Sequence, residues 1–265
     1  MAVIEAGGFY DLDNGNVSQI PAYSGRNGGS DPSQIQPAID WGIVSTPQAQ
    51  LGGRSIFYAQ GKTLGGSSAR NVLAFHRGSK GSYQQWADAV GDQSFTFENL
   101  LPFFKKSPHF TPPDLAKRGP GSEVEYDDAA FSEKGGPLQV SYNNFYQPFS
   151  RYVKQAFAKL GFAIIPGFNS GSLNGFSEFT FSIDPKAATR SSSETSFFQE
   201  ALDRPNLLVY QRTLAKSLLF NDTRVATGVV VDTFGKTYSL SAKKEVIVAA
   251  GVVRERTQLK TWDPC

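Results

Sequence analysis

The sequence predicts an α/β fold with an α+β insert and a second, partly antiparallel layer. The chain opens on the short apolar run AVIEAGG, residues 2–8, and a second such run, EVIVAAG at 245–251, comes near its end. Continuous apolar runs of this length that end in small residues are typical of buried parallel strands. Between them, stretches with helical spacing alternate with strand-like runs, which favours layers of helix and sheet.

In the first half, local signals define the elements. Residues 9–53 are rich in Gly, Pro, Asn, Ser and Gln, so we expect a long irregular surface segment. The stretch GSYQQWADAVGD predicts a helix that ends at Gly91, and 94–107 predicts another helix that begins behind Thr96. The Pro- and Gly-rich residues 108–137 predict a second surface loop.

The middle of the chain predicts an insert of strands and helices. Residues 137–142 alternate like a strand, and 179–185 indicate another. Residues 149–162 predict a helix that ends at Gly161, and 191–202 predict a serine-capped helix. The apolar residues of the first of these helices fall on one face: Tyr152, Val153, Ala156, Phe157 and Leu160.

The last third predicts the clearest sheet. Four strand-like runs follow one another with turn residues between them: NLLVYQRT, KSLLFND, VATGVVVDTF and KTYSLSA. The middle ones indicate an antiparallel meander, because short connections join neighbouring antiparallel strands. The run at 245–251 then predicts a fully buried parallel strand.

Composition excludes several functions. The 265 residues are 40% hydrophobic and 19% charged, ordinary for a soluble globular protein, and the scattered basic residues with net charge +2 give no argument for nucleic acid. No apolar run is long enough to span a membrane. The single Cys265 excludes an internal disulfide and a cysteine metal cluster, and only two histidines are present. With no signal peptide recognised, a cytoplasmic location is the default expectation.

The stretch GKTLGGSSARN, 61–71, is the feature that most suggests chemistry. Consecutive glycines let backbone N–H groups approach a ligand that a Cβ would block, and serines add hydroxyl donors. The Asn71 amide can both donate to and accept from the edge of a ring. Taken alone, the pattern also fits a tight turn that holds no ligand, because glycine-rich loops are common.

This stretch resembles the first signature of the glucose–methanol–choline (GMC) family of flavin oxidoreductases. The resemblance covers essentially residues 2–252 and is closest to fungal aryl-alcohol oxidase and choline-dehydrogenase-like members. The matching positions are Gly61-Lys62-x-Leu64-Gly65-Gly66-Ser67-Ser68, followed by Asn71, Phe75 and Gly78.

The resemblance implies an incomplete FAD-binding Rossmann-like domain with an antiparallel β-meander, together with part of a substrate domain. The FAD-binding domain is expected to be discontinuous and to span 1–150 and 190–252. Residues 151–189 are expected to belong to the substrate-binding domain, and 253–265 form a divergent tail.

The resemblance also implies FAD as the cofactor, and it assigns roles where residues match. Glu5 matches the acid that binds the adenosine ribose, a role for which a carboxylate at the end of a parallel strand is suited. Ala215 stands where the family usually has a Val whose backbone meets the adenine, and Gly251 belongs to a small-residue strand end near the cofactor. Gly65, Gly66 and Ser67 match the loop that passes the pyrophosphate and flavin, and Asn71, Val72, Leu73 and Ala74 match the segment against the isoalloxazine ring.

The sequence also departs from the family pattern. Arg70 stands where some members have the His that links covalently to FAD, so we expect non-covalent binding and a structural ion pair for Arg70. No GxGxxG turn precedes VIEAGG, and the tail after VIVAAG does not match. The catalytic His–His or His–Asn pair of the family has no counterpart in His76 or His109, which are expected to be packed or exposed. No catalytic residue and no metal ligand is therefore assigned.

These matches predict an FAD-dependent oxidoreductase that acts on the CH–OH group of a small-molecule alcohol and that is truncated and inactive as an isolated chain. One alternative is a cofactor-free binding protein or a non-redox cyclase, with an aromatic metabolite held against residues such as Phe75 and Trp86. Another is a gene-model fragment that does not fold stably. A cooperatively folded chain without flavin would favour the first alternative.

Overall fold

The computed structural model describes residues 1–26 and 28–255, so residues 256–265 of the predicted divergent tail, Cys265 included, lie outside the described residues. The strands are β1 Ala2–Ile4, β2 Ile43–Val44, β3 Phe57–Tyr58, β4 Ala74–Phe75, β5 Pro108–Thr111, β6 Leu138–Ser141, β7 Thr180–Phe181, β8 Ile183–Asp184, β9 Thr189–Arg190, β10 Leu208–Tyr210, β11 Thr213–Phe220, β12 Ala226–Thr233 and β13 Lys236–Ser241. The α-helices are α1 Tyr10–Asp13, α2 Asn16–Gln19, α3 Lys80–Val90, α4 Phe97–Phe104, α5 Leu115–Arg118, α6 Ser150–Lys159 and α7 Gln199–Ala201.

The chain forms two compact units, and each is assembled from separate stretches of sequence. Unit 1 consists of Met1–Ser18, Gly25–Arg70 and the chain from Ala201 onward, and unit 2 consists of Gln19–Ser24 and Asn71–Glu200. The mixed α/β class that the sequence predicts is confirmed, with small, open sheets. The division into cofactor and substrate domains stays a prediction.

Unit 1 contains the predicted meander. Strands β11, β12 and β13 form an antiparallel sheet in that order. Val229 and Val231 of β12 are buried, since alternate residues of a strand share a face and these two share the covered one. A separate small core joins Tyr10, Ile39 and Ala69.

The two apolar runs near the chain ends behave differently from the expectation. β1 pairs in parallel with β10, with Val3 opposite Val209, so the parallel pairing is confirmed, but β1 is not buried as predicted. Residues 245–251 form no strand, and Ile247 is 75% exposed. A parallel strand needs a ladder partner on at least one edge, and none of the described residues pairs with this run.

Unit 2 confirms the two predicted helices in 80–107. Helix α3 is capped by Ser79, whose Oγ accepts a hydrogen bond from Ser82 N at 3.1 Å, and it ends at Gly91 in the left-handed conformation. Helix α4 begins behind Thr96, although the Thr96 side chain makes no capping bond.

The predicted surface loop at 108–137 is wrong in part, because β5 lies within it. Strands β4, β7, β6 and β5 form one sheet in that order, and β5 pairs in parallel with β6. Gly135 and Gly136 make this possible, since a Cβ at either position would overlap the backbone carbonyls of Pro108 or Lys106.

Three further expectations for the middle of the chain need correction. The run 179–185 forms two short strands, β7 and β8, instead of one. Helix α6 forms as predicted, but its apolar face is only partly covered: Phe157 stacks on Phe176, whereas Leu160 is 74% exposed. The helix predicted at 191–202 begins as a π-helical turn, Glu194–Phe198.

In the described ranges, no helix has the length and apolar character required to cross a membrane.

Candidate functional site

The glycine loop, residues 61–70, packs directly against the end of β1. Leu64 N and Thr63 Oγ1 both donate hydrogen bonds to the carbonyl of Gly8, each at 2.8 Å. A Cβ at Gly7 would overlap the carbonyl of Lys62, so only glycine permits this approach of two backbones. The structure therefore brings the predicted acid-ended strand and the predicted loop together within unit 1.

Left-handed glycines give the loop its shape. Gly65 and Gly66 have φ of +92° and +51°, and a short 3₁₀ turn, Gly66–Ala69, follows. The Ser68 hydroxyl donates to the Gly65 carbonyl at 2.5 Å, and Ser67 Oγ accepts from Gly61 N at 3.3 Å. A Cβ at Gly66 would meet no atom within 4 Å. The surface at Gly66 is therefore open to a ligand.

A buried ion pair anchors the C-terminal end of the glycine loop. Arg70 Nε lies 2.7 Å from Asp40 Oδ1, and its Nη2 lies 3.3 Å from Oδ2 of the same carboxylate. Asp40 Oδ2 also accepts from Gln36 N at 2.8 Å. The predicted structural role of Arg70 is confirmed by this contact.

Glu5 lies immediately after β1, and its carboxylate is the group that was expected to bind the adenosine ribose. Its Oε1 accepts a hydrogen bond from Gly7 N at 2.8 Å. Burial raises the pKa of Glu5 to about 7, and the backbone N–H groups of Gly7 and Ala6 together with the charge of Lys62 oppose that rise. A partly buried carboxylate of this kind gains from hydroxyl donors, which the ribose of a dinucleotide provides.

Ala215 lies on the strand that runs beside Glu5. Thr213 N, two residues before it, donates to the carbonyl of Glu5 at 2.9 Å. Ala215 pairs with Val231, and the register shifts between Ala215 and Ser217. This irregularity is a β-bulge, a device that is common beside binding sites because it redirects the backbone.

Gly251 packs against a residue that sequence reasoning missed. It has φ of +84°, and a Cβ there would overlap the side chain of Gln60, whose Nε2 donates to the carbonyl of Ala250 at 3.5 Å. Among the described residues, no hydrogen-bond partner reaches the buried Oε1 of Gln60. Gln60 immediately precedes the glycine loop, so the loop begins beside a buried amide oxygen that has no described partner.

The ring segment, residues 71–74, belongs to unit 2 and has a different kind of support. Asn71, Val72 and Ala74 are exposed, whereas Leu73 is only 2% exposed and has φ of +70°. Asn71 Oδ1 accepts from Leu73 N at 3.0 Å and from Arg190 Nη1 at 2.9 Å. The sequence did not reveal Arg190 as part of this arrangement, because a buried arginine looks like any other in the chain.

Both histidines belong to unit 2. His76 Nδ1 is 3.3 Å from the carbonyl of Arg77, and its ring meets the edge of Phe179. His109 is exposed on β5, as expected. The described part of the chain holds no group of three or more His, Cys, Asp or Glu side chains that could bind a metal ion.

The aromatic residues named for a cofactor-free cleft have other roles. Phe75 packs against the cluster of Ala130, Phe131 and Val140. Trp86 lies half-exposed on α3 and stacks near Phe95, with ring centroids 5.0 Å apart. Both residues thus make hydrophobic packing contacts with neighbouring side chains.

The residues of unit 1 fit the dinucleotide part of FAD. An acidic group at a strand end suits a ribose, and a glycine loop with an open surface at Gly66 admits a pyrophosphate. In unit 2, the exposed residues Asn71, Val72 and Ala74 offer a surface that suits a flat, hydrogen-bonding ring.

A family model described as GMC oxidoreductase matches residues 5–260. Patulin synthase of Aspergillus clavatus is 50% identical over 95% of this chain and 40% of its own length. Versicolorin B synthase of Aspergillus parasiticus is 44% identical over 96% of this chain and 40% of its own length.

Solved structures give the same relationship. An FAD-dependent oxidoreductase from Chaetomium thermophilum superposes with a TM-score of 0.81 at 29% identity, over 94% of this chain and 41% of that one. A fungal aryl-alcohol oxidase has a TM-score of 0.79 at 25% identity, over 94% of this chain and 41% of its own. The chain thus spans about two fifths of the length of the proteins it matches.

Proposed function

Because this chain belongs to the GMC oxidoreductase family, we propose that it provides the FAD-binding part of an enzyme that oxidises the CH–OH group of a small-molecule alcohol. When bound, FAD would supply the acceptor for the hydride that leaves the carbinol carbon. The observation that carries the proposal is the contact between the glycine loop and the carbonyl of Gly8, in the segment that follows β1 and Glu5.

The residues of this chain have binding and orienting roles in the proposal. Glu5 accepts hydrogen bonds from the ribose hydroxyls, and the bulged backbone at Ala215 lies against the adenine. Gly65, Gly66 and Ser67 let the pyrophosphate approach the backbone, and Gly251 allows the chain to pack closely against the Gln60 side chain. Residues 71–74 contact the isoalloxazine ring.

The proposed binding is non-covalent. Arg70 occupies the position of the covalent link in some relatives, and its guanidinium is engaged by Asp40. A guanidinium is a poor nucleophile because it stays protonated in proteins. Acid precipitation of the protein should therefore release all of the flavin into the supernatant.

Related proteins support an oxidoreductase acting on small molecules. The Chaetomium protein is described as FAD-dependent, and another structural relative is described as an aryl-alcohol oxidase. These descriptions concern whole proteins of which the chain spans about two fifths. The alcohol substrate is therefore part of the proposal.

The experiment is to purify the chain and record its visible spectrum, then to assay alcohols with an artificial electron acceptor. We expect flavin absorbance that acid precipitation releases, together with negligible turnover by the isolated chain, because neither His76 nor His109 matches the catalytic pair. Protein that folds cooperatively but takes up no added FAD would contradict the proposed cofactor. Rapid turnover by the isolated chain would contradict the predicted inactivity.

A further inference from the structure

The ring segment has three exposed residues and one buried side chain, that of Leu73. Asn71, Val72 and Ala74 are exposed, and the Leu73 side chain is buried. Leu73 has φ of +70°, a left-handed conformation that costs a residue with a Cβ about 1–2 kcal/mol. Strain of this kind persists only where surrounding contacts hold it, and it is concentrated at functional sites.

Four hydrogen bonds hold the strained turn. Asn71 Oδ1 accepts from Leu73 N at 3.0 Å and from Arg190 Nη1 at 2.9 Å. The carbonyl of Leu73 accepts from Ser182 N at 2.9 Å and from Ser182 Oγ at 3.2 Å. The supporting side chains thus come from positions more than a hundred residues along the chain.

Ser182 and Arg190 lie at the base of one hairpin. Strands β8 and β9 pair with Ile183 opposite Arg190, and Ser191 N donates to the Ser182 carbonyl at 2.9 Å. The hairpin is tied to β6, since Ser141 Oγ donates to the Ile183 carbonyl at 3.0 Å. Arg190 itself is only 4% exposed, so its guanidinium has little freedom to move.

The two donors on Asn71 fix the orientation of its amide. Both Leu73 N and Arg190 Nη1 can only donate, so the atom that they share must be the amide oxygen. The Nδ2 group is therefore directed away from them, and among the described residues it has no hydrogen-bond partner. An exposed residue thus carries an oriented and unused N–H donor.

We propose that Arg190 is a positioning residue for the flavin: by holding Oδ1 of Asn71, it directs Nδ2 toward an acceptor on the edge of the isoalloxazine ring and stabilises the left-handed turn at Leu73. The inference rests on the proposed FAD binding and adds to it the group that orients the ring contact. Ser182 supports the same turn from the carbonyl side.

The test uses variants of the full chain, titrated with FAD. Arg190→Gln removes the charged donor, Asn71→Ala removes the whole amide, and Asn71→Asp keeps Oδ1 but replaces the Nδ2 donor. The matched control is Arg118→Lys, since Arg118 is equally buried in unit 2 but bonds to Glu178 and Asn143. Three readouts are compared: the Kd for FAD, the position of the visible flavin band, and the hydrogen-exchange rate of the Leu73 amide without FAD.

We expect Arg190→Gln to raise the Kd about tenfold, as loss of a charged hydrogen bond typically does, and to shift the flavin band. The Leu73 amide should exchange faster in Arg190→Gln and Asn71→Ala, and at the wild-type rate in Asn71→Asp, which should nonetheless bind FAD more weakly. The double variant Arg190→Gln/Asn71→Ala should be no worse than Asn71→Ala alone, because the two residues act through one bond. Arg118→Lys should leave all three readouts unchanged.

The inference is overturned if the wild type binds FAD and Arg190→Gln binds it with the same Kd and the same spectrum. Effects of Arg190→Gln and Asn71→Ala that simply add would also overturn it. If Arg190→Gln does not fold, the decision rests on Asn71→Asp and Asn71→Ala, which change an exposed residue. A folded wild type that binds no FAD defeats the proposed function and this inference together, an outcome distinct from an Arg190 variant that leaves flavin binding unchanged.

Discussion

The glycine loop and the ring segment follow each other in sequence, but different interactions hold them. The glycine loop of unit 1 is shaped by backbone packed against backbone, at positions such as Gly7 where no Cβ fits. The ring segment of unit 2 is shaped by side chains, with Arg190 and Ser182 bonded to it from another part of the chain. Glycine-encoded contacts are visible in a local sequence pattern, whereas contacts made by distant side chains are not.

The largest effect is expected at the buried ion pair that anchors the glycine loop. Asp40→Ala leaves the guanidinium of Arg70 buried without its carboxylate, which should lower the free energy of unfolding by about 3–5 kcal/mol. Urea denaturation measures this loss. The control Glu98→Ala breaks the exposed pair with Lys80 and should leave the free energy of unfolding nearly unchanged, because solvent screens an exposed pair. Equal losses in the two variants would show that the Asp40 pair is no anchor.

A smaller loss is expected where the two backbones touch. Gly7→Ala places a methyl group against the Lys62 carbonyl, and we expect a loss of about 2–3 kcal/mol in the free energy of unfolding. Gly25→Ala is the matched control, since a Cβ there meets no atom within 4 Å, and it should change stability by less than about 0.5 kcal/mol. A Gly7 variant as stable as the Gly25 variant would refute the backbone contact.

Glu5 should make the stability of the chain depend on pH. Its pKa is raised from 4.5 to about 7 in the folded state, so the folded state binds a proton more tightly than the unfolded state between these values. The contribution of Glu5 to the free energy of unfolding is therefore greatest below about pH 4.5. It falls by on the order of 2 kcal/mol as the pH rises through about 7. Urea denaturation across this range measures it, with Glu5→Gln as the reference. Parallel curves for the two proteins would contradict the burial of this carboxylate.

The smallest effect is expected at Leu73 of the ring segment, where backbone strain should decide which of two substitutions is more stable. Leu73→Gly and Leu73→Ala both lose the buried side chain, but only glycine adopts φ of +70° without strain. Leu73→Gly should therefore be the more stable of the two, by about 1 kcal/mol. At Leu64, which is also buried but has no left-handed backbone, the order should reverse. The same order at both positions would rule out strain at Leu73.

The sequence predicted those parts of the fold that depend on local signals. Helix α3 ends at Gly91 as expected because a left-handed glycine stops a helix wherever it occurs. The meander of β11 to β13 follows from alternating strands with short turns between them. The run at 245–251 failed because an apolar composition says that a segment can be buried, and not what lies beside it. The strand β5 was missed because the Pro and Gly residues around it predicted a loop, although this segment pairs with β6.

The residues of the candidate site also fall into two groups, those that a local pattern predicts and those that only the fold brings in. The glycine loop and Glu5 were predicted from a short pattern, and in unit 1 the loop bonds to the carbonyl of Gly8, three residues after Glu5. Gln60 and Arg190 were not predicted, because their importance depends on which residues fold against them. Long-range side-chain support has no fixed spacing in sequence, so a motif reports the surface that meets a ligand and not the residues that hold it.

The most direct test of the account is a titration of the wild-type chain and of Glu5→Gln with FAD, above the Glu5 pKa of about 7. The wild type should bind one FAD per chain with a saturable signal, and Glu5→Gln should bind it about tenfold more weakly, because a charged acceptor for the ribose hydroxyls is lost. Equal affinity in the two proteins, or a folded wild type without saturable binding, would contradict the claim that the Glu5 end of β1 and the glycine loop hold the dinucleotide.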